Sequence, residues 1–360
     1  MKQLITLTAF LLTICSSFSQ TNEQDSLIIQ LAYQKQDSAK VDTSIQLIKS
    51  FYISNDYKKA LLYIEQSEKL ATILQYHKGS AEIKYYKALV YSQKDDYYNA
   101  YDNYSKSLQL FVRLGDSLGI AKVNNSIGLI EIKRGNYNKG LQYSLSAIDI
   151  FERRDLKFEL GLAYNNLSEA YYNTKQFDKS LSFNLKALQI REQLQDSLGI
   201  ISSSQNIALL YSIRKENRKA IEYYEKVLTH LDTEKDKVIR GEILSKIGAE
   251  YLQFNDIKNA TPFLLQGLRL NKSINNNNGI LKTYNSLALL NIKLNKVRLA
   301  ESQLDKAFAL IQKDKNDDDL LENYRLRMSI DSIKKDYRRA FNWQSKYHAL
   351  KDKIEKDKAI

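Results

Sequence analysis

The sequence predicts an all-α chain, a solenoid of about eight stacked helix-turn-helix units. The first observation is a small residue that returns every forty positions. It stands at Ala60, Ala100, Gly140, Ser180, Ala220, Ala260, Ala300 and Ala340. The second is a set of companions at fixed offsets. Twelve residues earlier come Ala88, Gly128, Ser168, Ala208, Gly248 and Ala288; nine earlier come Phe51, Tyr91, Tyr171, Tyr211 and Tyr251, with polar exceptions at Glu131, Asn291 and Asp331. The third is the scarcity of helix breakers, with one proline and twelve glycines in 360 residues. Two helices that cross closely need small residues at the crossing, and a large aromatic fills the space beside it. Such a unit cannot bury its apolar face alone, so neighbouring units stack.

From the N-terminus, residues 1–19 read as an export signal. Lys2 supplies the positive start, Leu4 to Ile14 an apolar run too short to span a bilayer, and Ser17 and Ser19 a small-residue cleavage site. Cleavage there leaves no direct membrane span. Cys15, the one cysteine, lies inside this segment behind Ile14, a poor context for lipidation. The remaining chain then has no thiol chemistry and no disulfide. Residues 20–37 hold a short amphipathic stretch in which Leu27, Ile28, Leu31 and Ala32 fall at helical spacing, a capping helix for the array.

Eight units of forty residues follow, at 38–77, 78–117, 118–157, 158–197, 198–237, 238–277, 278–317 and 318–357. In the third, Ile120 to Lys133 is a first helix, Gly135-Asn136 a turn, and Tyr137 to Arg153 a second helix. The junction Asp116-Ser117-Leu118-Gly119-Ile120 returns unchanged at 196–200, and its aspartate can cap the next helix. Pro262 falls near the start of a second helix, where a missing donor costs little. The last unit runs into a lysine-rich helix over 345–360, with Tyr347, Leu350 and Ile354 in line.

The segments Asn124-Asn125-Ser126-Ile127-Gly128 and Gly135-Asn136-Tyr137-Asn138-Lys139-Gly140-Leu141 resemble the tetratricopeptide repeat in its forty-residue variety, and Tyr164 to Leu181 and Ser286 to Ala300 carry the same frame. The proline that usually closes each unit is missing throughout. The resemblance implies a right-handed superhelix with a concave groove lined by the first helices. An export signal, forty-residue repeats and a closing lysine-rich helix also resemble the periplasmic sensor region of bacterial histidine kinases and helix-turn-helix regulators, here without a kinase or DNA-binding domain. That implies a protein-binding scaffold of the periplasm or envelope, or a sensory input module acting on a separate, membrane-bound signalling partner.

No enzymatic constellation appears. His77, His230 and His348 lack metal-ligand spacing, no glycine-rich phosphate loop follows a strand, and no catalytic residue, metal or cofactor is expected. The net charge of +12 is spread through the helices, which argues for solvated faces and against nucleic acid. Candidate groove residues lie fifteen before each small anchor: Ile45, Tyr85, Asn125, Asn165, Gln205, Ser245, Asn285 and Arg325. Amides offer both donor and acceptor to an extended peptide backbone. Lys122 and Lys133, recurring as Lys282 and Lys293, suit acidic partner groups. Four residues beyond the ladder positions stand Leu89, Leu129, Glu169, Leu209, Ala249 and Leu289, where the family's clamp for C-terminal carboxylates would need asparagine. The expected partner is a protein or peptide segment, acidic or amphipathic, on an apolar groove floor.

Overall fold

The structure is a computed structural model that describes residues 23–314 and 317–357. The export-signal reading, Cys15 and the last three residues lie outside the described residues. Every regular element among the described residues is a helix. The helices fall into two compact units, residues up to Ile190 and from Arg191 onward.

In the first unit, α1 (residues 23–33) precedes the hairpins α2 (Ser38–Ile53) with α3 (Tyr57–Ile73), α4 (His77–Gln93) with α5 (Tyr97–Leu114), and α6 (Ser117–Lys133) with α7 (Tyr137–Arg153). Then come α8 (Lys157–Asn173) and α9 (Phe177–Gln193), whose last residues belong to the second unit. Leu27 and Leu31 of α1 are buried in the core formed by Ile45, Ile48 and Phe51 of α2, and Gln24 donates to Ser50 Oγ at 3.1 Å. The first helices form an inner layer: α2 packs on α4, α4 on α6, and α6 on α8, while α3, α5 and α7 make no comparable contact with one another.

The second unit holds α10 (Ser197–Ile213) with α11 (Asn217–His230), α12 (Lys237–Gln253) with α13 (Ile257–Ser273), α14 (Asn277–Lys293) with α15 (Val297–Asp314), and α16 (Asp317–Ile333) with α17 (Tyr337–Asp357). Here α12 packs on α14 and α14 on α16, whereas α10 and α12 make no comparable contact. At the same place the turn is irregular: α11 stops at His230, Leu231 turns to extended backbone, and Asp232 accepts from Glu234 N and Lys235 N.

From α2 onward the other described turns are of one kind. A left-handed residue recurs every twentieth position, at 55, 75, 95, 115, 135, 155, 175, 195 and 215, and again at 255, 275, 295 and 335. The next residue's N–H closes a six-residue ring onto the preceding helix, as Asp56 N to Phe51 O at 2.9 Å and Asn136 N to Glu131 O at 2.8 Å. That same residue stands at the N-cap of the following helix, and where it is Asp56, Asp96, Asp116, Asp196, Asp256 or Asp336 its carboxylate bonds the first turn. Asp116 accepts from Leu118 N and Gly119 N at 3.1 and 3.0 Å. Hairpin turn and inter-hairpin loop are therefore the same three-residue device.

The small anchors sit at the crossings. A Cβ on Gly128 would lie 3.0 Å from Gly140 O, and one on Gly140 would lie 2.9 Å from Gly128 O, so each glycine lets the other's backbone approach. In the next hairpin Ser180 Oγ donates to Ser168 O at 2.9 Å. The residues nine before the anchor stack on those three after it: Phe51 on Tyr63, Tyr171 on Phe183, Tyr211 on Tyr223 and Tyr251 on Phe263, with centroids 5.6 to 5.8 Å apart. Where the first member is polar, the second changes or a neighbour answers. Asn291 donates to Gln303 Oε1 at 2.9 Å, Asp331 accepts from Trp343 Nε1 at 2.9 Å, and Glu131 accepts from Asn136 Nδ2 at 2.7 Å.

Pro262 corrects one expectation. It is the sixth residue of α13, past the first-turn donors that have no helical partner. Its ring therefore leaves the carbonyl of Lys258 without its usual helical donor, a real cost on an exposed surface.

Candidate functional site

The inner layer of the first unit carries a pocket of about 180 Å³. Its apolar lining comes from Tyr52 of α2, Tyr85 and Leu89 of α4, Leu129 of α6 and Leu162 of α8. Polar groups enter from Gln93, Lys122, Asn125, Ser126, Glu159 and Asn166. Lys122, Ser126 and Leu129 fall at i, i+4 and i+7, one face of a helix. A second cavity of about 300 Å³ adjoins it and shares Tyr85 and Lys122. The wall between them is aromatic: Tyr86 meets Tyr52 and Tyr85 edge-on at 6.5 and 5.5 Å, and Tyr85 leans on Tyr104 at 5.9 Å.

Asn125 and Asn166 are both buried and bonded to each other. Asn166 Nδ2 donates to Asn125 Oδ1 at 3.0 Å and to Asn125 O at 3.1 Å. That fixes both amides, and leaves the Asn125 NH2 as a donor and the Asn166 carbonyl as an acceptor in the pocket lining. A peptide group needs one of each. Lys122 pairs with Glu159 at 3.2 Å across α6 and α8. Burial pushes the Tyr85 phenol up to about 12, against a hydrogen bond with Ser126, so it stays a neutral donor at ordinary pH. Burial also raises the Glu82 carboxyl in the adjoining cavity, with Lys78 and Lys122 opposing and Asp42 and Asp116 adding to it.

In the second unit a pocket of about 250 Å³ is lined by Glu242, Ser245, Lys246, Ala249, Gly279, Lys282 and Ser286. Burial lowers the Lys246 ammonium, Glu242 opposes this, and Lys282 adds repulsion. Lys246 also lies 5.7 Å from the centre of the Tyr224 ring.

The structure brings Tyr85, Lys122 and Asn125 together in one pocket and places Lys282 in the other. Lys133 pairs with Glu169 at 2.8 Å on the exposed edge, and Lys293 donates to Asn255 Oδ1 at 3.3 Å. Asn165 and Gln205 are half-buried. Asn285 is buried, and its Oδ1 accepts from Asn323 of the next hairpin at 3.4 Å. The eight ladder positions are thus of several kinds. Ile45, Asn125, Ser245 and Asn285 are buried, while Arg325 is exposed and holds Glu322 through two bonds of 2.7 and 2.6 Å. The physical reason is helical phase: the inner face centres on 122, 126 and 129, and position 125 sits at its edge against the next hairpin. Ser126 and Asn166, one residue past the ladder, were therefore missed. The i, i+4, i+7 spacing through Leu129 was the signal that could have found Ser126.

Among the described residues no group of three or more His, Cys, Asp or Glu side chains is placed to hold a metal, and no helix is long and apolar enough to cross a membrane.

Residues 159–233 match the tetratricopeptide repeat family. No curated protein sequence matches the chain. Among solved structures, a signal-transduction ATPase with a tetratricopeptide repeat sensor from Pyrococcus horikoshii aligns with a TM-score of 0.71 at 13% identity, covering 94% of this chain and 51% of its own. The chain thus spans about half the length of that protein. The apo form of the quorum sensor NprR from B. thuringiensis aligns at 0.63 with 18% identity, covering 82% of both chains. A Rap protein complexed with competence and sporulation factor aligns at 0.59 with 11% identity, covering 92% of both. At these identities the likeness speaks for the fold, and the hairpin geometry agrees with it: the described helices form tetratricopeptide-type hairpins, and residues 159–233 carry the family's sequence signature.

Proposed function

We propose that the chain is a non-enzymatic interaction scaffold that binds an extended protein or peptide segment on the inner face of its first unit. The observation that carries this reading is the pocket between α4, α6 and α8, where an apolar wall stands beside one fixed amide donor and one fixed amide acceptor. An extended segment satisfies both features at once, with a side chain in the pocket and a peptide group on the amide pair. The fold supports the reading, since tetratricopeptide arrays generally serve protein–protein contact. The quorum sensor and the factor-bound Rap protein are similar in fold and support a segment-binding role. The export signal read at residues 1–19 supports an envelope location.

The test is selection of binding peptides from a displayed random library, followed by titration into variants. Leu162 is 39% exposed, so Leu162→Arg puts a charge into the pocket wall without entering the core. It is expected to weaken selected peptides at least tenfold, with the helical melt nearly unmoved. Peptides that bind wild type and Leu162→Arg equally would place the site elsewhere. No saturable binder in the library would remove the reading.

A further inference from the structure

The outer face of α1 is apolar where a cap should be polar. Leu27 and Leu31 turn inward, while on the opposite face Ile29 is 61% and Tyr33 87% exposed, with Ile28 and Ala32 beside them. These four residues form one stripe at i, i+1, i+4 and i+5. A helix that is apolar on both sides is ordinarily covered on both sides, and arrays rely on polar outer caps for solubility.

The charges say what covers it. The helix is acidic at its start, with Glu23 and Asp25, and Lys35 follows its end; all three are exposed. An anionic lipid surface is disfavoured by Asp25, four residues before Ile29 at one end of the stripe, whereas Glu23 lies on the Leu27 side. A second α1 laid antiparallel is favoured, because Asp25 of one copy then faces Lys35 of the other, twice. The same register, centred on Gln30, sets Ile28 opposite Ala32. We infer that α1 is an isologous dimer contact, with the stripe of Ile28, Ile29, Ala32 and Tyr33 packed against its own copy and Asp25 opposite the second copy's Lys35. The stripe is one short helix long, well under the ~800 Å² per partner of a standard interface, so the dimer is weak and forms in the micromolar range.

Sedimentation equilibrium of the purified protein from about 1 to 300 μM tests this. Wild type is expected to pass from monomer to dimer and no further. Ile29→Glu with Tyr33→Glu is expected to stay monomeric with an unchanged circular-dichroism melt, since both side chains are exposed. Asp25→Lys and Lys35→Asp are each expected to raise the dissociation constant about tenfold, and the double swap to restore it. Monomer throughout the range overturns the inference. So does a dimer indifferent to the stripe variants, or a double swap no better than its parents. Cosedimentation with phosphatidylglycerol vesicles that needs the stripe gives it to lipid instead.

Discussion

At the scale of the residue, stability is set by pairs that change together. The position nine before the anchor and the position three after it are stacked aromatics in four hairpins, and in three of these the Lys just before the anchor, eight residues after the first ring, lies over that ring. Lys179 is 5.2 Å from the centre of Tyr171 and Lys219 5.1 Å from that of Tyr211. Where the first position is Asn291, the second is Gln303, and a hydrogen bond from the Asn291 amide to the Gln303 amide oxygen replaces the stack. A stacked pair is worth ~0.5–1.5 kcal/mol beyond area burial, and a buried polar group without a partner costs ~1–3 kcal/mol. Asn291→Tyr alone is therefore expected to lower stability by about 1–2 kcal/mol, because Gln303 loses its partner and the ring enters a site shaped for an amide. Adding Gln303→Phe is expected to recover most of that loss. Urea denaturation of the wild type and the three variants measures the coupling; additive losses would deny that the two positions form a unit. The aromatic offsets were legible in the sequence. The polar exceptions were seen as exceptions, because their partners lie twelve residues on, and nothing in a single sequence joins Asp331 to Trp343.

At the scale of the element, nearly every helix from α2 onward ends on a left-handed residue, α11 being the exception among the described turns, and the sequence announced this with glycine at only two places. Gly115 and Gly135 are glycine, while Asn55, Asn255, Asn275 and Asn295 are the asparagines that tolerate this backbone. Lys175, Lys215 and Lys335 occupy it as well, at φ 60°, 61° and 62°. The lysines hid the turns from a reading by turn chemistry, and the forty-residue frame located them instead. A left-handed conformation costs a non-glycine residue ~1–2 kcal/mol, and glycine gives part of that back as greater freedom when unfolded. Lys215→Gly is accordingly expected to stabilise the protein by about 0.5–1 kcal/mol, read as a rise in the thermal midpoint. A fall would mean that the lysine side chain contributes more than the backbone strain costs. The same frame gave helix phase to within one residue, which suffices for an architecture and falls short for a site. Position 125 was read as open groove and is at the seam between hairpins, where Asn166 of α8 holds it. Lys246, set one residue past a ladder position, was invisible for the same reason.

At the scale of the whole molecule, the described chain repeats one building step. A helix ends in a left-handed turn, a capping residue starts the next, and a small residue lets the two cross. Among the described turns from α2 onward the step fails once, where α11 ends at His230, and there α10 and α12 lack a contact comparable to that of α12 with α14. Function on such a scaffold lies in what the inner face displays. In the first unit that is an aromatic wall, a leucine floor and a paired amide; in the second it is two lysines over Glu242 and two serines. Site-specific photo-crosslinking asks most directly whether that inner face is the working surface. A benzophenone side chain replaces either Gln93, exposed at the pocket's rim, or Leu145, 48% exposed on the second helix α7. With a library-selected peptide present, the account predicts a covalent peptide adduct from position 93 and none above background from position 145. Equal labelling at both, or labelling at 145 alone, would contradict it.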